Sequence, residues 1–149
     1  MKRGIESVQT IGGRSNLIHK DGLTIIDDCY NANPVSMKAS IDVLSKAPGR
    51  KIAVLGDMGE LGAEEWQLHY MVGEHFAGKG IDLLYCAGKL SGEIADAVRI
   101  CSDTEVHYYE EKEALEEELV KQVKAGDTIL VKASHFMGFP EIVKKLTER

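Results

Sequence analysis

Short apolar runs alternate along this chain with longer stretches of helical periodicity, and this alternation constrains the fold more than any other feature. The runs are rich in β-branched and aromatic residues and occupy positions 23–26, 52–55, 83–86, 106–109 and 128–131. Because short apolar runs separated by helical stretches are typical of parallel strands joined by crossovers, they predict an α/β fold. We expect a mostly parallel sheet of about six strands with helices on both faces.

Five helices are predicted to follow these strands. Four are expected at positions 34–44, 63–77, 112–123 and 139–146, and a further one carries Ile94, Ala95, Val98 and Ile100. Pro34 suits the first turn of a helix, where its missing N–H costs nothing. The helical period places Trp66, Met71, Val72 and Phe76 on the inward face of the second helix.

The 149 residues correspond in size to one ordinary domain. We therefore interpret residues 1–149 as a single domain in which residues 1–12 form a lead-in or interdomain segment. Residues 8–19 are expected to add an edge strand or a loop, with a turn at Gly12 and Gly13. The sequence after Met1 looks like the middle of a protein, which suggests one domain of a longer chain.

Composition argues against several classes of partner. The net charge of −6 and the pI near 5.4 disfavour nucleic acid, which would require a basic face. No apolar run approaches the roughly 20 residues of a membrane span, and no apolar stretch follows Met1 as it would in a signal peptide. Cys29, Cys86 and Cys101 are widely spaced and odd in number, which favours a reducing cytoplasm over disulfides or a zinc cluster.

Polar and glycine-rich segments follow four of the predicted strands. These segments are 27–34, 56–62, 87–89 and 132–138. In an open parallel sheet the carboxyl ends of the strands meet at one edge, and ligands bind beyond that edge. The connections at the opposite edge, 47–50 and 124–127, are ordinary turns. This asymmetry predicts a ligand cleft at the carboxyl edge.

The first of these segments offers groups that suit a nucleoside. Asp28 places a carboxylate at a strand end, where ribose hydroxyls can donate to it. Tyr30 adds a flat ring with a polar tip, and Asn31 and Asn33 add amides able to bind a base edge. The alternative is an Asx-rich turn in which Asn33 caps the following helix. The residues alone favour the turn, and the two roles are compatible.

The other segments are less specific. Segment 56–62 contains two carboxylates, Asp57 and Glu60, and lacks the G-x-G-x-x-G spacing, so a flexible connection competes equally with a phosphate loop. Lys132, Ser134 and the neighbouring histidine bring together a cation, a hydroxyl and an imidazole. No G-x-S-x-G elbow surrounds Ser134, so anion or carboxylate binding is favoured over hydrolysis.

Further polar residues are assigned as follows. Arg14 is a candidate phosphate clamp or a surface arginine, and His69 is interpreted as a packing or surface residue. His19, His75 and His107 show no spacing that suggests a metal site. The sequence contains no G-x-x-x-x-G-K-[ST] loop, so an enzyme that used this domain to bind ATP would need that loop elsewhere.

Four motifs, in order along the chain, resemble those of the C-terminal domain of the Mur ligase family. Residues 28–37 resemble D-S-Y-N-A-N-P-x-S-M, residues 56–62 resemble G-D-M-x-E-L-G, Gly13 and Arg14 resemble G-R, and residues 132–134 resemble K-G-S. Cys29 and Ala133 depart from the serine and glycine of those motifs. The first two motifs resemble the D-alanyl-D-alanine-adding ligases rather than their sister ligases or the folylpolyglutamate synthetases, which carry histidine-containing versions of the first.

The resemblance implies the Rossmann-like third domain of a three-domain enzyme. The first domain would bind a UDP-sugar substrate, and the second would carry the ATP phosphate loop and the Mg²⁺ ligands. The implied reaction adds D-alanyl-D-alanine to UDP-N-acetylmuramoyl-tripeptide through an acyl phosphate, with ATP and Mg²⁺ as cofactors. The N-terminal and central domains of the same enzyme are then the partners of this one.

The resemblance also implies site residues. Those implied for the nucleotide are Arg14, Asp28, Tyr30, Asn31 and Asn33. Those implied for the substrate are Lys132, Ser134 and, more weakly, Asp57. No catalytic residue is expected in this chain alone, which should be inactive by itself.

Two alternatives remain open at this point. A stand-alone, non-catalytic nucleotide-binding or interaction domain is favoured if the natural chain begins at Met1. A folylpolyglutamate-synthetase-type ligase domain is disfavoured, because asparagine stands where that family would have histidine.

Overall fold

The computed structural model describes residues 7–11, 15–28, 32–134 and 137–148 of the chain. The strands are β1 (Ser7–Ile11), β2 (Ser15–Lys20), β3 (Leu23–Asp28), β4 (Lys51–Gly56), β5 (Leu83–Ala87), β6 (Glu105–Tyr109) and β7 (Thr128–Lys132). The helices are α1 (Pro34–Ser45), α2 (Glu65–Glu74), α3 (Ser91–Cys101), α4 (Lys112–Gln122) and α5 (Pro140–Glu148), and a 3₁₀ turn at Gly62–Glu64 precedes α2. All five strands predicted from apolar runs are present, with ends within two residues of the expected positions.

Across the described residues, one seven-stranded sheet runs in the order β1-β2-β3-β7-β4-β5-β6. The pairs β3–β7, β7–β4, β4–β5 and β5–β6 are parallel. Strands β1 and β2 form an antiparallel hairpin, and β2 pairs with β3. The mostly parallel α/β sheet is thus confirmed, with one strand more than expected because this N-terminal part supplies two strands rather than one.

Helices cover both faces of the sheet, and each face has its own apolar core. One core lies beneath α4 and α5 and contains Ile25, Val54 and Phe139 among its members. The other lies beneath α1, α2 and α3 and contains Met37, Leu55 and Val98. Because β4, β5 and β7 are buried on both faces, their sequences are continuous apolar runs rather than alternating ones. No helix of the described residues is long and apolar enough to cross a membrane.

The inward face of α2 differs in part from the prediction. Val72 and Phe76 are buried as expected, but Trp66 is 43% exposed and Met71 is also exposed. The buried line of α2 runs instead through His69, Val72 and Gly73. A polar residue and a glycine contribute little to a hydrophobic periodicity, so the sequence pattern placed two exposed residues on the wrong face.

Gly73 is the point of closest approach between α2 and α3. A β-carbon built there would lie 2.5 Å from the Ile94 carbonyl oxygen and 2.6 Å from the Ala97 β-carbon. Both neighbours belong to α3, and one of them is backbone, so neither can move without shifting the helix.

We expect Gly73→Ala to lower the free energy of unfolding by about 1–3 kcal/mol, because overpacking outweighs the gain in helix propensity. Urea denaturation of the chain followed by circular dichroism measures the change. Gly78→Ala is a poor control, since Gly78 has a positive φ. Glu74→Ala, one position along the same helix and exposed, should change stability by less than about 0.5 kcal/mol. A stability gain in Gly73→Ala would contradict the close packing.

Candidate functional site at the carboxyl edge of the sheet

The connections that follow β4 and β7 are joined by hydrogen bonds at the carboxyl edge of the sheet. The Ser134 N–H donates to the Asp57 carbonyl at 3.1 Å. The Ser134 hydroxyl accepts from the Gly59 N–H at 2.6 Å. Ser134 is buried, so these two bonds fix its position relative to the glycine-rich connection. The structure therefore brings these two segments together at one edge of the sheet, as the sequence predicted.

Asp28, the last residue of β3, forms a buried ion pair with the last residue of β7. Its Oδ2 accepts from Lys132 Nζ at 2.5 Å and from the Ser40 hydroxyl of α1 at 2.9 Å. Lys132 is only 2% exposed and Asp28 is also buried. A carboxylate at this depth keeps its charge only when a cation and donors compensate for lost water. The pair therefore fixes the position of the Asp28 carboxylate between two strands and a helix.

Asn33 caps α1. Its side-chain Oδ1 accepts from the Ser36 N–H at 2.8 Å, and the Ser36 hydroxyl accepts from the Asn33 N–H at 3.1 Å, which completes a capping box. The sequence alternative of a capped turn is thus present in the structure. Asn33 is exposed at the same time, so capping is compatible with a ligand on its outer side.

Asp57, the first residue after β4, caps α3. Its Oδ1 accepts from the Leu90 N–H at 3.1 Å, from the Ser91 N–H at 2.8 Å and from the Ser91 hydroxyl at 2.8 Å. The negative charge thereby faces the positive end of the helix dipole. Gly88 makes room for it, because a β-carbon there would lie 2.4 Å from Oδ1. The Asp57 side chain thus ties the end of β4 to the first turn of α3.

His69 attaches the glycine-rich connection to α2. The Met58 N–H donates to its Nε2 at 2.9 Å, so that nitrogen carries no proton, and Nδ1 lies 2.6 Å from the Glu65 carbonyl as a donor. His69 is fully buried. Of the two expected placements, packing or surface, the structure shows the buried one, and it adds hydrogen bonds that sequence spacing did not reveal.

The same connection contains a backbone constraint. Glu60 has a φ of 58°, in the left-handed region that non-glycine residues rarely adopt, and Gly62 has a φ of 80°. Such conformations are maintained only where the surroundings determine them, and they concentrate at ligand sites. On the N-terminal side of Glu60, two hydrogen bonds hold the backbone in this conformation. One joins the Met58 N–H to His69, and the other joins the Gly59 N–H to Ser134.

Part of the predicted nucleotide site lies outside the described residues. Arg14, Tyr30 and Asn31 belong to that part, so their assignment stays a prediction. Among the residues that the structure does describe, no group of three or more His, Cys, Asp or Glu side chains is placed to hold a metal ion. Asp28 and Asn33 are therefore the described members of the predicted nucleotide group.

A cavity of about 500 Å³ lies at the opposite edge of the sheet, between the ends of α2 and α3. Cys101 lines it, and its thiol lies 3.5 Å from the Gly73 carbonyl as a donor. Burial raises the pKa of this thiol, which reduces its reactive thiolate form. The polar residues singled out by the sequence lie at the other end of the strands, so the carboxyl edge remains the candidate site.

The fold and this edge define a class of protein: an open α/β domain whose polar, glycine-rich connections lie at the carboxyl edge of its sheet. The family described as "Mur ligase, glutamate ligase domain" matches residues 13–135. Since this covers most of the chain, the chain belongs to that family.

Curated relatives agree with this assignment. The UDP-N-acetylmuramoyl-tripeptide–D-alanyl-D-alanine ligase of Bacillus subtilis is 40% identical over 98% of this chain and 33% of its own length. The ligase of the same name from Escherichia coli is 35% identical over 99% of this chain and 32% of its own length. This chain therefore spans about a third of the length of these relatives.

Solved structures show the same domain within longer chains. MurF of Acinetobacter baumannii matches with a TM-score of 0.83 at 30% identity, over 95% of this chain and 32% of that one. MurF of Thermotoga maritima in complex with ADP matches with a TM-score of 0.77 at 29% identity, over 95% and 32%. A single domain of a Haemophilus ducreyi ligase, 19% identical, shares the fold with a TM-score of 0.57 over 92% of its length. The fold thus also exists as a separately crystallised domain.

Proposed function

We propose that this chain is the C-terminal domain of an ATP-dependent ligase that adds D-alanyl-D-alanine to UDP-N-acetylmuramoyl-tripeptide. The observation that supports it most is the 40% identity to a ligase of that name over 98% of the chain. The alternative of a folylpolyglutamate-synthetase-type domain receives no comparable support. In this proposal the rest of the ligase consists of an N-terminal and a central domain, which act together with this one.

The reaction would proceed in two steps. The tripeptide carboxylate attacks the γ-phosphorus of ATP, which releases ADP and leaves an acyl phosphate. The amine of the dipeptide then attacks the acyl carbon, and inorganic phosphate leaves as the amide forms and the amine loses a proton. Phosphate activates the carboxylate in the first step and leaves in the second. The protein must therefore contribute the positioning of the reactants and the neutralisation of charge.

The chain's own residues fit the nucleoside end of ATP. Asp28 offers a carboxylate, held in place by Lys132 and Ser40, as an acceptor for ribose hydroxyls. Asn33 is exposed at the start of α1, and we assign the adenosine side to it together with the predicted residues Tyr30 and Asn31. The ADP bound to the Thermotoga maritima relative is consistent with a nucleotide in this family.

The remaining assignments concern phosphates, metal and dipeptide. Arg14 is proposed to contact the nucleotide phosphates. Mg²⁺, which would neutralise phosphate charge, is proposed to bind to the central domain. Ser134 is proposed to help place the dipeptide. Lys132 is proposed to act indirectly, by holding the Asp28 carboxylate in position. Asp57 contributes by holding α3 and the Ser134 N–H in place.

We expect the isolated chain neither to hydrolyse ATP nor to form product, and to bind a non-hydrolysable ATP analogue at least about 100-fold more weakly than the whole ligase. The physical reason is that the phosphates would be held by a different domain. Calorimetric titration of the analogue into both proteins, with a phosphate-release assay, measures this. Turnover by the isolated chain, or equal affinity in the two proteins, would overturn the proposal of a shared site.

The whole ligase, meaning the natural protein with the preceding domains, provides the direct test. It should convert UDP-N-acetylmuramoyl-tripeptide, D-alanyl-D-alanine and ATP to amide, ADP and phosphate. Asp28→Asn should raise the KM for ATP by about tenfold, since one charged acceptor is lost. Asp42→Asn is the matched control, because Asp42 lies on α1 in an exposed ion pair with Lys79, and it should leave KM unchanged. A whole ligase without this activity would exclude the proposed function.

A further inference from the structure

Lys112, the first residue of α4, links that helix to the connection between β7 and α5. Its Nζ donates to the Gly138 carbonyl at 3.2 Å and to Glu141 Oε1 at 2.7 Å. The side chain is mostly buried. The hydrogen bond to Glu141 raises the pKa of Lys112, so its ammonium is charged throughout the neutral range.

Glu116, one turn further along α4, faces the same ammonium from a buried position. Its Oε2 lies 3.9 Å from Lys112 Nζ, and its Oε1 lies 4.0 Å from Lys145 Nζ. Glu116 is 3% exposed, and among the described residues its Oε2 accepts no hydrogen bond. Burial removes water from this carboxyl and thereby raises its pKa.

A buried carboxylate with an oxygen that accepts no hydrogen bond is not what stability alone would select. An apolar residue of similar size is often at least as stabilising at such a position. The contrast with Asp127 at the opposite edge is clear, because both of its oxygens accept hydrogen bonds from Arg50. Of the two lysines that Glu116 faces, Lys112 is the more buried, so the carboxylate acts most strongly on that ammonium.

Two hydrogen bonds connect Lys112 to Ser134 through the peptide between Met137 and Gly138. Lys112 holds the Gly138 carbonyl, and the neighbouring Met137 N–H donates to the Ser134 carbonyl at 3.0 Å. Gly138 has a φ of +69°, and a β-carbon there would approach Lys112 Nζ to 3.2 Å. A glycine at this position thus allows both the turn and the close approach of the ammonium.

We propose that Lys112 is a positioning residue for the ligase reaction, held by Glu116 and Glu141 so that it fixes the Gly138 backbone and, through it, Ser134. This inference rests on the proposed function, in which Ser134 helps to place the incoming dipeptide. It adds α4, which packs against β5 and β6 on the same face of the sheet as α5, to the elements that determine the geometry of the site.

The mechanical part of the proposal is tested on the chain itself. We expect Lys112→Met to raise the hydrogen-exchange rate of the Met137 and Glu141 amides by about tenfold or more, since their carbonyl partners lose a fixed position. Glu116→Gln should raise it in the same direction by a smaller factor, and Lys112→Arg should restore protection. Lys79→Met is the matched control, because Lys79 also forms a 2.7 Å ion pair with an aspartate, on the other face of the sheet.

The functional part is tested by steady-state kinetics of the whole ligase. Lys112→Met should raise the KM for D-alanyl-D-alanine by about tenfold, as expected for a displacement of less than 1 Å in a positioning group. The KM for ATP should stay within about twofold, because Asp28 is held by other contacts. Lys112→Arg should recover the dipeptide KM, and Glu116→Gln should show a partial effect, which keeps the test informative if Lys112→Met folds poorly.

The outcomes separate the two proposals. Unchanged exchange in Lys112→Met would overturn the link between α4 and the Ser134 connection. Raised exchange with an unchanged dipeptide KM, or equal increases in both KM values, would overturn its positioning role. If the unsubstituted whole ligase does not add the dipeptide, the proposed function fails, while the exchange measurement still decides whether Lys112 holds this connection.

Discussion

Lys132→Met is expected to lower the free energy of unfolding by about 3–5 kcal/mol, one of the two largest effects that we predict for a single substitution in this chain. Methionine fills nearly the same volume but removes the ammonium, which leaves the Asp28 carboxylate buried and without its cation. The Ser40 hydroxyl, the donor on Asp28 that comes from α1, is neutral and cannot replace that charge. Urea denaturation of the purified chain, monitored by circular dichroism, measures the loss.

Two further variants show whether the loss comes from the unpaired charge. Combining Lys132→Met with Asp28→Leu should recover a large part of the stability, because neither charge of this buried pair then remains. Lys79→Met removes an ion pair in which Lys79 is 28% and Asp42 45% exposed, and it should change stability by less than about 1 kcal/mol. Similar small losses in Lys132→Met and Lys79→Met would contradict the buried pair.

The same substitution also distinguishes two assignments of Lys132 in the whole ligase. If Lys132 acts by holding Asp28 under the ribose, Lys132→Met raises mainly the KM for ATP. If it acts beside Ser134 on the dipeptide, as the sequence resemblance implies, the KM for D-alanyl-D-alanine rises instead. The 2.5 Å contact between Lys132 and Asp28 leads us to expect the first result.

The fold could be predicted from the sequence because the apolar runs, its strongest pattern, are what strands buried in the middle of the sheet physically require. Strands buried on both faces have to be apolar throughout, and β4, β5 and β7 are buried along nearly their whole length. The lead-in carried no such signal. Strand β1 pairs with β2 and β2 pairs with β3, and such pairing at the edge of a sheet leaves little trace in hydrophobicity.

The edge at which the polar segments meet was predicted for a similar reason, but the contacts among them were not. Parallel strands bring their carboxyl ends to one edge whatever the side chains are. By contrast, Lys132 reaches Asp28 across 104 positions and Ser91 reaches Asp57 across 34. Local spacing contains no information about such pairs. His69 was interpreted as a packing or surface residue, and its bond to the Met58 N–H depends on the tertiary placement of α2.

Asp57 is the second position at which we expect a large effect. Asp57→Ala should lower the free energy of unfolding by about 3 kcal/mol, because the Leu90 and Ser91 amides and the Ser91 hydroxyl all lose the charged oxygen that they share. Asp57→Asn keeps an oxygen in the same place and should lose only about 1 kcal/mol, as should Ser91→Ala, which removes one of the three donors. Urea midpoints of the three variants measure this order.

Steady-state kinetics of the whole ligase then decide whether the Asp57 side chain only supports α3 or also contacts the substrate. The Asp57 carboxylate faces the first turn of α3 through Oδ1, whereas Ser134 meets the backbone of Asp57 and not its side chain. We therefore expect Asp57→Asn in the whole ligase to leave the KM for D-alanyl-D-alanine within about twofold, and Ser91→Ala to behave in the same way. A tenfold increase confined to Asp57→Asn, at a stability equal to that of Ser91→Ala, would show that the carboxylate contacts the substrate, as the family resemblance first implied.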